Sequence, residues 1–291
     1  MTADAPKADY QKRRDSAPNQ YEMLKGLELS EDEHRLLADE CKKVGIKFMS
    51  TPFSVSAARF LHSLGMKIWK IPSGELTNLP LLEFIAPLAD KIILSTGMAN
   101  MVDVRDALEV LNQNGAKEDN IFLLHCTTAY PTPLQDVNLR AMDLLSAFKV
   151  KGIGYSDHTD GIAVPALAVA HGATIIEKHF TLDPTLPGPD HQASITPPLF
   201  AEMVDNIRMC ELVLGREEKE PTPSEIPNIS IARKSIIASR SIKKGEIFSE
   251  SNLSTKRPGT GISPMKWHDL IGKVALNDYE TDDQILNNEL L

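Results

Sequence analysis

The chain has 291 residues, of which 42% are hydrophobic and 24% charged, an ordinary balance for a globular protein with one large and one small domain. Its formal net charge of −9 argues against nucleic acid or an anionic membrane as the main partner, although a local cluster of Lys and Arg can still bind a small anion. We expect no membrane span, no secretory signal, a cytoplasmic location and three reduced cysteines, Cys41, Cys126 and Cys210.

One pattern repeats from about residue 30 to residue 215: a helical stretch, then a short apolar run that ends in small polar residues. The first helix is marked by a capping box, Ser30 with Glu33, and by Gly45 at its end. Six alternating units predict a parallel sheet whose C-terminal edge carries the chemistry. The predicted strands lie in IKFMSTPF, KIWKIPSGE, KIILSTGM, NIFLLHCTTAYP, KGIGYSDHT and TIIEKHFT.

The composition changes after residue 215. Residues 216–230 are rich in Pro, Glu and Ser without periodicity, which predicts a linker. Residues 231–291 contain short β-like runs broken by Gly, Pro and Asn, which predicts a small domain, mostly β and irregular. The predicted organisation is therefore a domain over 1–215, a linker over 216–230 and a second domain over 231–291.

Two histidines, His158 and His179, each follow one of two successive predicted strands. Neighbouring strands lie about 5 Å apart, so both imidazoles can converge on one ion. Two His ligands leave several positions open, which suits a catalytic Mn²⁺ or Mg²⁺ better than a closed structural zinc site. The alternative is a pair of structural, hydrogen-bonding histidines.

A second group of strand-end residues combines one positive charge with three hydroxyls: Lys70, Ser73, Ser95 and Ser156. Together they could hold a phosphate or a carboxylate, although each taken singly is more often an ordinary loop residue. Three further residues could each have either a ligand-binding role or a purely structural or surface role. Asp190 in PGPD could bind sugar hydroxyls or be a solvated turn residue, Tyr130 could contact a ligand or line the core, and Arg257 in KRPGTG could reach a neighbouring active site or lie on the surface.

Eight motifs occur in series: FMSTPF, WKIPSGELTNLPLL, ILSTGM, LLHCTTAYPTP, GYSDHT, IEKHFT, LPGPDHQAS and KRPGTGISP. From about residue 5 to its end the chain closely resembles the sialic acid synthases, the bacterial N-acetylneuraminate synthase group that includes legionaminic and pseudaminic acid synthases. The resemblance implies a TIM-type (β/α)8 barrel followed by an antifreeze-like (SAF) β-clip domain. It also implies metal-assisted condensation of phosphoenolpyruvate with N-acetylmannosamine, with C–O cleavage and release of phosphate. A related 2,4-diacetamido sugar is the alternative substrate, and PGPDHQAS fits the neuraminate and legionaminic branches better than the pseudaminic one.

The resemblance also assigns roles to residues. It implies that the catalytic pair His158 and His179 binds a divalent metal, Mn²⁺ first and Mg²⁺ or Co²⁺ as alternatives. It places Arg257 in a domain-swapped homodimer, beside the N-acetyl group. Thr128 stands where some members have an Asn near the phosphate. The implied phosphoenolpyruvate-binding residues are Thr51, Lys70, Ser73, Ser95 and Ser156, and the implied sugar-binding residues are Tyr130 and Asp190.

The main departure from the family lies at the front of the chain. Two expected βα units, one with an EIGxNHxG segment and one with a KFQ segment, have no counterpart, so we expect an N-terminally truncated barrel of six strands whose activity is uncertain. Two rival classes remain: another phosphoenolpyruvate-using barrel aldolase, such as a 3-deoxy-heptulosonate phosphate synthase, and a non-catalytic binding or ice-binding protein. The second rival predicts neither metal dependence nor phosphate release.

Overall fold

The structure, a computed structural model, describes residues 2–290. The chain divides between Gly215 and Arg216 into two compact units. Within residues 2–290, no helix has both the length and the apolar character needed to cross a membrane.

The first unit is built on a five-stranded parallel sheet with its strands in chain order, β1-β2-β3-β4-β5. The strands are rich in aliphatic residues, and side chains such as Trp69, Leu94 and Leu123 are fully buried in the core beneath the helices. Parallel neighbours joined by helices place all C-terminal strand ends at one edge of the sheet. The strands are β1 (Ile68–Ile71), β2 (Lys91–Ser95), β3 (Ile121–Cys126), β4 (Gly152–Asp157) and β5 (Ile176–Lys178).

The helices of this unit follow local signals in the sequence. In the third helix Ser30 Oγ accepts a hydrogen bond from Glu33 N at 3.3 Å, Ser30 N donates to Glu33 Oε2 at 2.6 Å, and Gly45 ends the helix with φ 81°. The predicted capping box is therefore confirmed. The helices are α1 (Asp9–Arg14), α2 (Gln20–Lys25), α3 (Glu31–Val44), α4 (Val55–Ser63), α5 (Leu79–Ile85), α6 (Met101–Gln113), α7 (Ala141–Leu145), α8 (Ala163–Ala170) and α9 (Pro197–Leu214).

The segment 46–53 was expected to be a sixth strand, and this prediction is wrong. The sheet ends at β1, and residues 46–53 form no ladder with it in the described part of the chain. Ile46 and Phe53 are 63% and 66% exposed. β-propensity acts through packing and cross-strand partners, so an apolar run without those partners stays irregular.

The second unit contains α10 (Ile226–Ala232), α11 (Trp267–Leu270) and an antiparallel pair, β6 (Ser235–Ala238) with β7 (Leu253–Lys256). Isolated bridges such as Ile242 to Tyr279 extend this pairing, and Phe248 and Leu270 are fully buried in a small core. The mostly β and irregular character matches the prediction. The segment predicted as a linker, 216–230, is not wholly irregular, because α10 begins inside it.

Candidate active site

A cavity of about 430 Å³ lies where β1 to β5 end. It brings together nine of the eleven residues that the sequence suggested as site residues. Asp190 and Arg257 are not part of its lining. The nine are Thr51, Lys70, Ser73, Ser95, Thr128, Tyr130, Ser156, His158 and His179.

The register of the strands explains why these side chains meet. Cys126 pairs with Ser156, and Ser156 pairs with Glu177, so three neighbouring strands present one row of side chains to the cavity. Alternate residues along a strand face the same side. His158 and His179 lie two residues beyond Ser156 and Glu177, and they form the next row on the same face.

The hydrogen bonds of His158 fix its tautomer. Its Nδ1 lies 2.7 Å from Thr127 O, and because a carbonyl only accepts, Nδ1 carries the proton. Its Nε2 lies 3.3 Å from Ser156 Oγ, but that hydroxyl donates its proton to Glu177 Oε1 at 2.7 Å. Nε2 is therefore left with a free lone pair. Burial lowers the pKa of His158, which favours the neutral imidazole that a metal needs.

The second imidazole lies close to the first. The ring centroids of His158 and His179 are 5.2 Å apart, with their planes at 73°. The ring of Tyr130 packs against both, at 4.3 Å from His158 and 5.4 Å from His179. Burial is the main cause that raises the pKa of Tyr130, so its hydroxyl stays protonated and can donate to a ligand.

The donor atoms of this pair fit a divalent cation, since the lone pair of His158 Nε2 has no proton donor and the second ring lies beside it. Over residues 2–290, no group of three or more His, Cys, Asp or Glu side chains is arranged to hold a metal. The chain would supply two imidazoles, and water and substrate would fill the other positions.

Glu177 was not among the predicted site residues, although it lines the cavity. Its Oε1 accepts from Ser156 Oγ and lies 3.4 Å from Lys70 Nζ. The side chain of Lys70 is only 10% exposed, while that of Glu177 is 38% exposed. The carboxylate thus holds an otherwise buried ammonium at the cavity floor. Strand alternation would have found it, because Glu177 precedes His179 by two residues.

The hydroxyl of Ser95 has no hydrogen-bond partner although the residue is 2% exposed. Buried hydroxyls are nearly always paired, so an orphaned one that lines a cavity indicates a position where a ligand supplies the partner. The nearby charge of Lys70 indicates that this ligand is an anion.

Gly97 packs closely against two side chains that line the cavity, those of Ser73 and Thr128. Gly97 N donates to Ser73 Oγ at 3.0 Å, and Ser73 Oγ also lies 3.2 Å from Cys126 Sγ. A Cβ at Gly97 would lie 2.7 Å from Ser73 Oγ and 2.8 Å from Thr128 Cγ2. Any larger residue must therefore displace two cavity side chains.

We expect Gly97→Ala to raise the KM for an anionic substrate by about tenfold or more, because small misplacements of binding groups carry large costs. Gly74→Ala is the matched control, since Gly74 lines the same cavity and a Cβ there would meet nothing within 4 Å. Steady-state kinetics with both variants measures the difference. Equal KM values in the two variants would contradict this account of Gly97.

Asp190 lies in the loop after β5, outside the cavity lining. Its Oδ1 is buried without a hydrogen-bond partner. The N-terminal segment approaches this loop, because Arg14 Nη1 donates to Pro189 O at 3.0 Å and the ring of Tyr10 lies 5.2 Å from Tyr130. The free carboxylate oxygen is consistent with a polar ligand at this rim.

Arg257 belongs to the second unit. Its Nε donates to Ala232 O at 3.0 Å, which ties the loop to the end of α10. The residue is exposed, and its suggested role across a dimer stays a prediction.

The profile of the NeuB family matches residues 1–219, and that of the SAF domain matches residues 233–291. The N,N'-diacetyllegionaminic acid synthase of Campylobacter jejuni is 50% identical over 287 residues, which cover 98% of this chain and 86% of that protein. The synthase of the same name from Legionella pneumophila is 47% identical over 275 residues, 93% of this chain and 77% of that protein. The crystal structure of an N-acetylneuraminic acid synthetase from Leptospira borgpetersenii, 36% identical, matches with a TM-score of 0.68 over 76% of each chain.

Proposed function

Because this chain belongs to the NeuB family, with a SAF domain after the first unit, we propose that it condenses phosphoenolpyruvate with an N-acetylated amino sugar. The products are a nine-carbon 2-keto acid and phosphate. The observation that carries the proposal is the cavity at the strand ends, where one buried Lys, an unpartnered buried hydroxyl and two imidazoles come together. A non-catalytic binding protein has no need of that combination.

Phosphoenolpyruvate is a small anion with a phosphate and a carboxylate. In this proposal Lys70 supplies the charge, and the hydroxyls of Thr51, Ser73 and Ser95 supply directed hydrogen bonds. Ser156, whose proton goes to Glu177 Oε1, lines the same cavity beside the bound anion. Donors at fixed positions around the cavity would hold both anionic groups in a reacting geometry. C3 of phosphoenolpyruvate forms a bond to the aldehyde carbon of the sugar, whose oxygen takes up a proton, and a water molecule adds at C2. The bond from C2 to the phosphate oxygen then breaks, phosphate leaves with both electrons of that bond, and the oxygen from water becomes the 2-keto oxygen.

His158 and His179 would hold the divalent cation, with Mn²⁺ preferred and Mg²⁺ or Co²⁺ as alternatives. When bound, such a cation supplies Lewis-acid polarisation of the sugar aldehyde. Thr127 O keeps the proton on His158 Nδ1 and thereby directs Nε2 to the ion. Tyr130 and Asp190 would bind the sugar, and Thr128 would lie near the phosphate. Arg257 would contact the N-acetyl group within a domain-swapped homodimer.

The relatives favour a 2,4-diacetamido sugar over N-acetylmannosamine as the second substrate. The synthases from C. jejuni and L. pneumophila, at 50% and 47% identity, are both named for N,N'-diacetyllegionaminic acid. We therefore propose a legionaminic acid synthase. N-acetylmannosamine is the second candidate, supported by the 36% identity to the N-acetylneuraminic acid synthetase from Leptospira.

A sugar panel tests this proposal. The full chain is incubated with Mn²⁺, phosphoenolpyruvate and either a 2,4-diacetamido aldose, N-acetylmannosamine or unmodified mannose, while phosphate release is followed and the keto acid is identified by mass spectrometry. We expect the highest kcat/KM with the diacetamido sugar and no reaction with mannose. Phosphate release that does not depend on the sugar, or no release with either acetamido sugar, would overturn the proposal.

A further inference from the structure

A buried ion pair lies directly behind the two histidines. Asp157 is the last residue of β4 and Lys178 the last of β5, and the two are register partners in the parallel ladder. Strand alternation turns both side chains away from the cavity, which their chain neighbours on either side line. The pair therefore occupies the reverse side of the same two strand ends that carry His158 and His179.

Besides each other, the two side chains bond to Thr159, and the hydroxyl of Tyr155 also contacts Asp157. Lys178 Nζ lies 2.7 Å from Asp157 Oδ2 and donates to Thr159 O at 2.6 Å. Asp157 Oδ1 accepts from Thr159 N at 3.0 Å and from Thr159 Oγ1 at 2.8 Å. Neither charged side chain has any solvent exposure. Both carboxylate oxygens thus have partners, and Asp157 is not part of the cavity lining, so it is not itself placed to bind a metal or a substrate.

These contacts involve the chain neighbours of both histidines. Lys178, which precedes His179, bonds to the residues on both sides of His158, namely Asp157 and Thr159. The backbone of each histidine has one further tie. Thr132 N donates to His158 O at 2.8 Å, and Ile195 N donates to His179 O at 3.0 Å.

The two strands also approach closely just before the pair. Gly154 has no side chain, and a Cβ there would lie 2.5 Å from Ile175 O. This leaves room for Tyr155 N to donate to Ile175 O at 2.8 Å. The backbone ladder between β4 and β5 continues to its last row, Asp157 with Lys178, and the ion pair adds a side-chain tie across the strands at that row.

A buried ion pair contributes little net stability compared with apolar residues of the same size, since desolvation offsets the attraction. Stability alone therefore does not account for two charges at this place. We infer that the Asp157–Lys178 pair is a positioning clamp that sets the separation and orientation of His158 and His179 for a divalent cation. This inference rests on the proposed metal site and adds to it the residues that shape it from behind.

The test is Mn²⁺ binding to metal-free protein, measured by titration calorimetry and by the loss of the free-ion EPR signal, beside thermal unfolding. The main variant is Asp157→Asn with Lys178→Met, which removes both charges and the tie across the strands but keeps an acceptor for Thr159. We expect a folded protein whose Kd for Mn²⁺ is on the order of tenfold to a hundredfold higher, the effect typical of groups that orient metal ligands. The matched control, Glu40→Gln with Lys43→Met, removes an exposed ion pair of 3.1 Å on α3 and should leave the Kd unchanged.

His158→Ala separates the clamp from the site itself, because it should abolish Mn²⁺ binding. If the main variant folds and binds Mn²⁺ as tightly as the wild type while His158→Ala does not bind, the clamp is refuted and the metal site stands. If Mn²⁺ binding survives in His158→Ala, both fall together.

Should the main variant fail to fold, Asp157→Asn carries the test, since the amide keeps the side-chain shape and an acceptor for Thr159 while it removes the negative charge that faces Lys178. A weaker Kd for Mn²⁺ in this variant supports the clamp, and an unchanged Kd refutes it.

Discussion

His158→Ala is expected to lower kcat/KM for phosphate release by roughly a thousandfold. A metal that polarises the aldehyde lowers the activation barrier by several kcal/mol, and the variant loses that stabilisation. The variant removes the Nε2 lone pair that Thr127 O and Ser156 leave free in the wild type. Initial rates at saturating Mn²⁺, with phosphate detected by colour formation, measure the loss.

His171→Ala is the control for this experiment. His171 follows α8 and pairs with Asp143 at 3.0 Å, outside the lining of the cavity. The kcat/KM of the His171→Ala variant for phosphate release should equal that of the wild type. If His158→Ala kept the wild-type rate, the assignment of this residue to the metal would be wrong.

Lys70→Met is expected to raise the KM for phosphoenolpyruvate by roughly thirtyfold or more, which corresponds to about 2 kcal/mol or more for truncating a buried, paired charge. Lys70 is 8% exposed, and its ammonium contacts Glu177. The variant removes the positive charge from the cavity and leaves that carboxylate to repel an anionic substrate. The KM for the sugar should change much less.

Lys67→Met supplies the comparison, because Lys67 is exposed and lies just before the other end of the same strand. It carries the same change in charge and should leave both KM values as in the wild type. An equal rise in the two KM values for Lys70→Met would indicate general damage to the cavity and not the loss of an anion contact.

The parts of the fold that depend on local signals could be predicted from the sequence. The cap of α3 needs only Ser30, Glu33 and Gly45, which lie within one helix, and it is confirmed. The predicted fold class, a TIM-type barrel domain followed by a SAF domain, is confirmed by the family match and by the structural match at 36% identity. The prediction for residues 46–53 failed because a strand also needs a neighbour, and neighbours are not written in the segment itself.

The site could be predicted as a set of strand ends but not as a network of contacts. Chain position alone brought Glu177, Lys178 and His179 to one end of β5. Strand alternation then places Glu177 on the cavity face with His179 and Lys178 on the other face. Chain position did not say that Lys178 meets Asp157 there, because that contact follows from the register of β4 with β5. Register depends on the packing of the whole sheet.

The proton on His158 Nδ1 is held by the carbonyl of Thr127, an atom that every amino acid carries. The side chain of Thr127 points elsewhere, with Oγ1 donating to Asp136 O at 3.0 Å. Position 127 can therefore matter greatly to the chemistry while accepting many substitutions. A comparison of residue identities among relatives would underestimate it, because the information at this position lies in the path of the backbone.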